Sequence, residues 1–285
     1  MKKITVIGAT GMIGIPVTKE LIKAGYEITA LVRDVDKART IFPTNINFIK
    51  GDLYDKASIT EALKDAEGLY INISTRPTDK ESNFNPETQG LDNLLSAVKQ
   101  SNIKQIAYLS SFLARNYQGN WWVMKAKKES ISKIKQVGIP YTIFYPSNFM
   151  ENFRQGMVQG KRVTIMGKPI NKAWWIAGED FGRQIASAFS NEKSFNKEYS
   201  VQGLEALDIL EAATIYAKNY NKEKLTVAKL PLGLFNFLGL FITPLKFVAN
   251  LMYIMMNNHE EFEAKSTWDD LGKPTITIEK FAKQS

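Results

Sequence analysis

Near the start of the chain the stretch VIGATGMIG sets Gly8, Gly11 and Gly14 three residues apart, where an apolar β-branched run gives way to helical periodicity. Glycine weakens both strands and helices, so its repetition here marks a turn at which bare backbone must approach something closely. A strand-to-helix turn of this form is the dinucleotide fingerprint. Gly8 makes the tight turn, Gly11 admits a pyrophosphate, and Gly14 lets helix and strand pack together. Backbone N–H groups at the helix start then face the phosphates.

The rest of the first half has the rhythm that such a turn requires. KITVIG, YEITALV, INFIK, GLYINIS, IKQIAYLS and IPYTIFY read as strands. They alternate with helical patterns near residues 13 to 24, 35 to 41, 56 to 65, 86 to 101 and 122 to 137. Strand and helix in alternation give a parallel sheet covered on both faces, with ligands beyond the carboxyl ends of the strands. After residue 147 the rhythm breaks into short strands (KRVTIMG, AWWIAG, KEYSVQG, KLTVAKL), a helix starting near Asp180 and another over residues 205 to 218. The expected fold class is α/β: a Rossmann-type doubly wound parallel sheet with a smaller C-terminal α+β substrate lobe. Residues 1–155 form the core and 156–285 the lobe, packed as one structural unit.

Composition narrows the possible chemistry. The chain has no cysteine, which removes disulfides, thiolate metal sites and a cysteine nucleophile. The N-terminus reaches glycine too soon for a signal peptide, and a cytoplasmic location is expected. The formal charge of +8 is spread along helices with no basic run among aromatics, so no nucleic-acid partner is expected. Residues 230 to 256 are nearly uncharged and long enough to span a bilayer. Prolines, glycines, asparagines and Lys246 interrupt them, which favours two amphipathic helices lining an apolar pocket over peripheral membrane contact. A monomer or homodimer is expected. His259, the only histidine, is expected to be structural or solvated within a polar helix end, and no spacing suggests a metal site.

Cofactor choice falls at the end of the second strand, in ALVRDVDKA. Arg33 and, one helical turn later, Lys37 offer two cations to a ribose 2′-phosphate, whereas Asp34 offers an acceptor to a 2′-hydroxyl. NADP(H) is expected over NAD(H).

Taken together, VIGATGMIG, LVRDVDKA, GDLYDKASITEAL, GLDNLLSAVKQSNIKQIAYLSS, KAKKE and IPYTIFYPSNFMEN resemble the NmrA-like branch of the atypical short-chain dehydrogenase/reductases. The resemblance is close over residues 3 to 155 and looser beyond. It implies a phosphate loop of Gly8, Thr10, Gly11, Met12 and Ile13, a 2′-phosphate contact at Arg33, and Asp52 with Leu53 beside the adenine. Asn72, Ile73 and Ser74 match the passage of the nicotinamide ribose, and Ser110 and Ser111 match the strand end where many relatives place an active-site hydroxyl. Tyr145, Pro146 and Asn148 complete the expected cofactor set. Relatives commonly carry arginine at the position of Tyr145, while Asn148, Glu151 and Asn152 match the part that ties cofactor half to lobe.

Reductases of the wider superfamily resemble one another in a Tyr-x-x-x-Lys pair on one helix face. The matching text here is Trp121-Trp122-Val123-Met124-Lys125, with the lysine but without the tyrosine. An indole N–H cannot act as an acid or base near neutral pH. Two substitutes are open: a buried Lys125 with a lowered pKa as acid/base, and Tyr117 as a donor from the preceding loop; with Ser111, the hydroxyl position that the resemblance implies, they make up the expected catalytic set. Alternatively, Lys125 only pairs with Glu129 or holds the ribose. The expected activity is reduction of a small apolar or aromatic carbonyl, enone or quinone by NADPH in a lobe rich in Trp121, Trp122, Trp174, Trp175, Phe149 and Phe153. The alternatives are a non-catalytic NADP(H) sensor acting through a protein partner and, last, a sugar-nucleotide epimerase or dehydratase.

Overall fold

The computed structural model describes residues 1–42, 46–167, 171–231, 233 and 242–285. The first half alternates β1 (Lys3–Ile7), α1 (Gly14–Lys23), β2 (Glu27–Val32), α2 (Val35–Ile41), β3 (Ile46–Lys50), α3 (Lys56–Leu63) and β4 (Gly68–Ile71). It continues through α4 (Leu91–Val98), β5 (Gln105–Leu109), α5 (Phe112–Arg115), α6 (Trp122–Gln136) and β6 (Tyr141–Pro146). The second half carries β7 (Val158–Gln159), β8 (Arg162–Met166), β9 (Ala173–Trp174), α7 (Gly178–Ser190), β10 (Lys197–Val201), β11 (Ala206–Leu207), α8 (Ile209–Asn219) and β12 (Thr226–Leu230). Three helices end the chain: α9 (Thr243–Met256), α10 (Lys265–Leu271) and α11 (Ile278–Lys283).

A seven-stranded sheet in the order β3-β2-β1-β4-β5-β6-β10, parallel throughout, forms the centre of this Rossmann-type fold. Successive strand residues face opposite sides. Ile4 and Val6 therefore pack with Val17 and Leu21 of α1 and Phe181, Ile185 and Phe189 of α7. Ile7 and Ile71 pack with Leu63 of α3, Leu94 and Val98 of α4 and Ile134 of α6. The six strands expected from the first half are all present, and the chain order reverses between β1 and β4.

The seventh strand comes from the second half. KEYSVQG, expected in the lobe, supplies β10, which pairs with β6 from Lys197 opposite Thr142 to Val201 opposite Pro146. Helix α7 lies against α1 on the sheet, so the chain beyond residue 155 returns to complete both layers of the core.

The remainder forms a smaller lobe with a three-stranded β12-β8-β7 sheet and a β11–β9 pair. Its core is aromatic: the Phe153 ring stacks 4.5 Å from Tyr216 and 5.1 Å from Trp175. Helix α9 lays Phe247, Leu251 and Ile254 on Val123 and Met124 of α6, with Phe247 edge-on to Trp121. The first of the two helices expected in residues 230 to 256 falls on residues 232 and 234–241, outside the described residues. Among the described residues no helix is long and apolar enough to cross a membrane.

Candidate functional site: a cleft at the carboxyl edge of the sheet

The glycines occupy three different environments. Gly8 has φ +86°, and a Cβ there would lie 2.0 Å from the Asn72 carbonyl oxygen, because β1 and β4 run side by side at this point. A Cβ on Gly14 would lie 2.0 Å from the Gly8 carbonyl oxygen, so Gly14 lets helix α1 start against its own turn. Gly11 is less crowded and lines an open cleft. Helix α1 begins with no side-chain cap and no acidic residue in its first turn, which leaves its electropositive end available to an anion.

The cleft has a volume of about 820 Å3 and follows the ends of β1 to β6. Gly8, Thr10, Gly11, Met12 and Ile13 line its centre, with Arg33, Lys37, Asp52 and Leu53 at one end and Asn72, Ile73, Ser74, Ser110, Ser111 and Pro146 toward the other. The Asp34 carboxylate caps α2 by accepting from Lys37 N at 3.0 Å. Arg33 and Lys37 form no ion pair among the described residues. The Ser110 hydroxyl is buried without a hydrogen-bond partner. Uncapped helix, glycine turn, free cations, orphaned hydroxyl and a volume within the range of small-molecule sites all fit a dinucleotide.

Several expected residues lie elsewhere. Gly14 supports the loop from behind. Tyr145 precedes Pro146 on β6 and so faces the other side of the sheet; its hydroxyl donates to Glu198 at 2.5 Å, with Arg115 over its ring. Asn148 lines a second pocket, and its backbone carbonyl accepts from Ile176 N. Tyr117 packs against Ala114, Val123 and Met124, with its hydroxyl accepting from Trp121 N at 2.9 Å, away from the cleft.

Lys125 is also displaced: it is exposed, does not line the cleft and forms no ion pair with Glu129. The lysine in the cleft wall is Lys127, two residues later on α6. Its ammonium donates to Glu87 Oε1 at 2.5 Å. Glu87 Oε2 accepts from Thr75 N at 2.9 Å and from the Thr75 hydroxyl at 2.6 Å, and the Ser130 hydroxyl donates to the Glu87 carbonyl. Burial alone would push the Lys127 ammonium down, but the Glu87 charge and hydrogen bond reverse this and hold it above the usual lysine range. Lys127 is therefore a fixed cation at neutral pH, the opposite of the lowered lysine pKa that an acid/base role needs.

No tyrosine among the described residues lines the cleft. Tyr70 and Tyr108 are buried in the sheet without hydrogen-bond partners, and burial pushes the Tyr108 hydroxyl up to about 12.

A second, smaller pocket of about 100 Å3 adjoins the cleft and shares Ser111, Pro146 and Ser147 with it. Met166, Met252, Met255 and Met256 form much of its wall, with Trp175 and Glu260. Of the six expected aromatics, only Trp175 reaches this pocket and only Phe149 reaches the cleft; Phe153 is in the lobe core, and Trp121 and Trp122 pack beside α9. Sequence reasoning missed Lys127, Ser147 and Glu260. The KAKK run held a signal for the first, whereas Glu260 is 113 residues from the serine it meets.

A model of a family described as the NmrA-like family matches residues 1–282. The photosystem II assembly factor Ycf39 of Cyanophora paradoxa is 28% identical over 176 residues, which cover 62% of this chain and 52% of that one. This chain thus matches about half the length of that relative. The NAD(P)H azoreductase of Xenophilus azovorans is 24% identical over 212 residues, covering 74% and 71% of the two chains. Among solved structures, the NADPH-dependent quinone oxidoreductase QOR2 of Escherichia coli complexed with NADPH superposes with a TM-score of 0.73 at 22% identity, covering 99% of both chains.

Proposed function

The chain belongs to the NmrA-like family, and from that premise we propose that it is an NADPH-dependent reductase of a small apolar carbonyl, enone or quinone. The observation that carries this reading is the continuity of the dinucleotide cleft with a methionine-walled pocket at Ser111, Pro146 and Ser147. The family fold is that of NAD(P)-binding proteins, and similarity to an azoreductase and a quinone oxidoreductase supports the reductase reading.

In this reading the turn from Gly8 to Ile13 and the start of α1 hold the pyrophosphate. Arg33 and Lys37 take the 2′-phosphate, since Asp34 is engaged as a helix cap. Lys127 holds the nicotinamide ribose as a cation anchored by Glu87. When bound, the reduced nicotinamide supplies a hydride to a substrate in the adjoining pocket. The methionine wall suits a flat, polarizable substrate because thioether side chains adapt to aromatic faces.

A second reading, a non-catalytic NADP(H) sensor acting through a protein partner, draws on the lack of a cleft tyrosine among the described residues and on similarity to an assembly factor. Calorimetric titration with NADPH and then NADH, followed by absorbance loss with a panel of quinones and carbonyls, separates the two. Preferential NADPH binding with turnover supports the reductase; tight binding without turnover supports the sensor.

A further inference from the structure

With Lys127 held as a cation and no tyrosine in the cleft wall, a reduction here needs a proton from elsewhere. Ser147 stands where cleft and pocket meet. Its hydroxyl oxygen lies 2.7 Å from Glu260 Oε2 and accepts from Trp174 N at 3.0 Å. Glu260 belongs to the extended strap that follows α9, and Gln202 of the chain beyond β10 fixes that strap. The Gln202 side-chain oxygen accepts from Glu263 N at 2.7 Å and Ala264 N at 2.9 Å, and its amide nitrogen donates to Glu260 Oε1 and to the Glu261 carbonyl, each at 2.7 Å.

We propose that Ser147 delivers the proton to the substrate oxygen and that Glu260, hydrogen-bonded behind it, is the carboxyl that replaces that proton. This rests on the reductase reading. Because Oε1 is occupied as an acceptor, the proton of a neutral Glu260 carboxyl resides on Oε2 and points at Ser147. The serine oxygen then accepts from Glu260 and from Trp174 N, and its own hydrogen is left for the cleft. Ionised Glu260 instead draws that hydrogen back.

In the step itself, the substrate carbonyl carbon gains a hydride from the reduced dinucleotide and its oxygen gains the Ser147 proton. The Glu260 proton passes to Ser147, and the resulting carboxylate is reprotonated by water. Burial holds the Glu260 carboxyl above the usual range, although bonds from Gln202, Ser147 and the Trp174 backbone N–H oppose this. Glu263, on the same strap and paired with Arg115 of α5, acts in the same direction as burial. Lys172 on the pocket wall is paired with Glu211, and His259 and Glu261 flank Glu260 along the strap.

The test uses Glu260→Gln and Ser147→Ala in the full chain. The glutamine side chain can still accept from Gln202 and donate to Ser147, so it preserves the hydrogen bonds while holding no transferable proton. With NADPH and a quinone and dicarbonyl panel, Glu260→Gln is expected to lower kcat about a hundredfold at unchanged NADPH affinity and to flatten the pH profile. Independently of turnover, carboxyl-labelled glutamate NMR should give, besides the raised midpoint of Glu151, a second midpoint above those of the exposed glutamates, absent in Glu260→Gln and displaced in Ser147→Ala. Wild-type turnover that survives Glu260→Gln, or a Glu260 carboxyl titrating with the exposed ones, overturns the relay and leaves the reductase reading standing. NADPH binding without wild-type turnover of any acceptor overturns both.

Discussion

The Lys127 ammonium meets Glu87 Oε1 at 2.5 Å inside the protein, tying α6 to the turn that precedes α4 along one wall of the cofactor cleft. Both carboxylate oxygens of Glu87 are engaged, one by Lys127 and the other by Thr75 in the loop beyond β4. The pair thus links three parts of the site through a single buried charge couple.

Removing one member of such a couple strands the other, at a cost of about 3–5 kcal/mol. Lys127→Met should therefore lower the melting temperature and weaken NADPH. Adding Glu87→Gln should restore much of the stability without restoring affinity. Lys125→Met, on the exposed face of the same helix, should change neither property measurably. Thermal unfolding and calorimetry of the three variants beside the wild type check this; a larger loss of NADPH affinity in Lys125→Met than in Lys127→Met would refute the assignment.

Arg33→Ala should weaken NADPH by about tenfold or more and leave NADH nearly unchanged, because only the former has a 2′-phosphate for a charge-assisted bond. Equal losses for both dinucleotides, measured by calorimetry, would remove the 2′-phosphate role.

Gly14→Ala should act on both dinucleotides alike. Its added methyl would lie 2.0 Å from the Gly8 carbonyl oxygen and 2.8 Å from that of Ala9, so the turn must shift. The expected destabilisation is about 1–3 kcal/mol in denaturant unfolding, with parallel losses of NADPH and NADH affinity. A discriminating loss like that of Arg33→Ala would contradict the packing role.

Burial pushes the Glu151 carboxyl up to about 7, opposed by a bond from Gly178 N. Between the ordinary carboxyl range and pH 7 the folded protein therefore holds a proton that the unfolded chain has released. Stability should fall as pH rises through this window and level off above it, by about 3 kcal/mol in all. Glu151→Gln should reduce this slope to the smaller one left by the raised Glu260 carboxyl, as read by urea unfolding at pH 5, 6, 7 and 8. A slope of the same size in the variant would place the titrating group elsewhere.

Much of the site was readable from turn chemistry. Thr10, Arg33, Asp52, Asn72 and Ser110 each stand just beyond or close to a strand end, and a parallel sheet gathers such ends into one cleft. Tyr145 was misjudged because its neighbour Pro146 takes the cleft side of β6 and adjacent strand residues face opposite ways. The lobe misled more: its aromatic residues suggested a pocket, but Phe153 stacks into the lobe core, Trp121 and Trp122 pack beside α9, and of the six expected aromatics only Trp175 joins the methionines from α9 that wall the pocket. A composition rich in aromatics does not distinguish core from pocket.

The glycine turn and the six first-half strands followed from residues adjacent in sequence, since periodicity and backbone sterics act over a few positions. Which lysine lines the cleft did not. In KAKK, Lys125 and Lys127 are about 200° apart around an α-helix, and either could face the cleft until α6 docks with Ser130 and Lys127 against Glu87. Likewise β10 joins the main sheet, and Glu260 reaches Ser147, through contacts between distant segments. Such contacts leave no local pattern: burial and partner choice arise when packed layers bring remote side chains together.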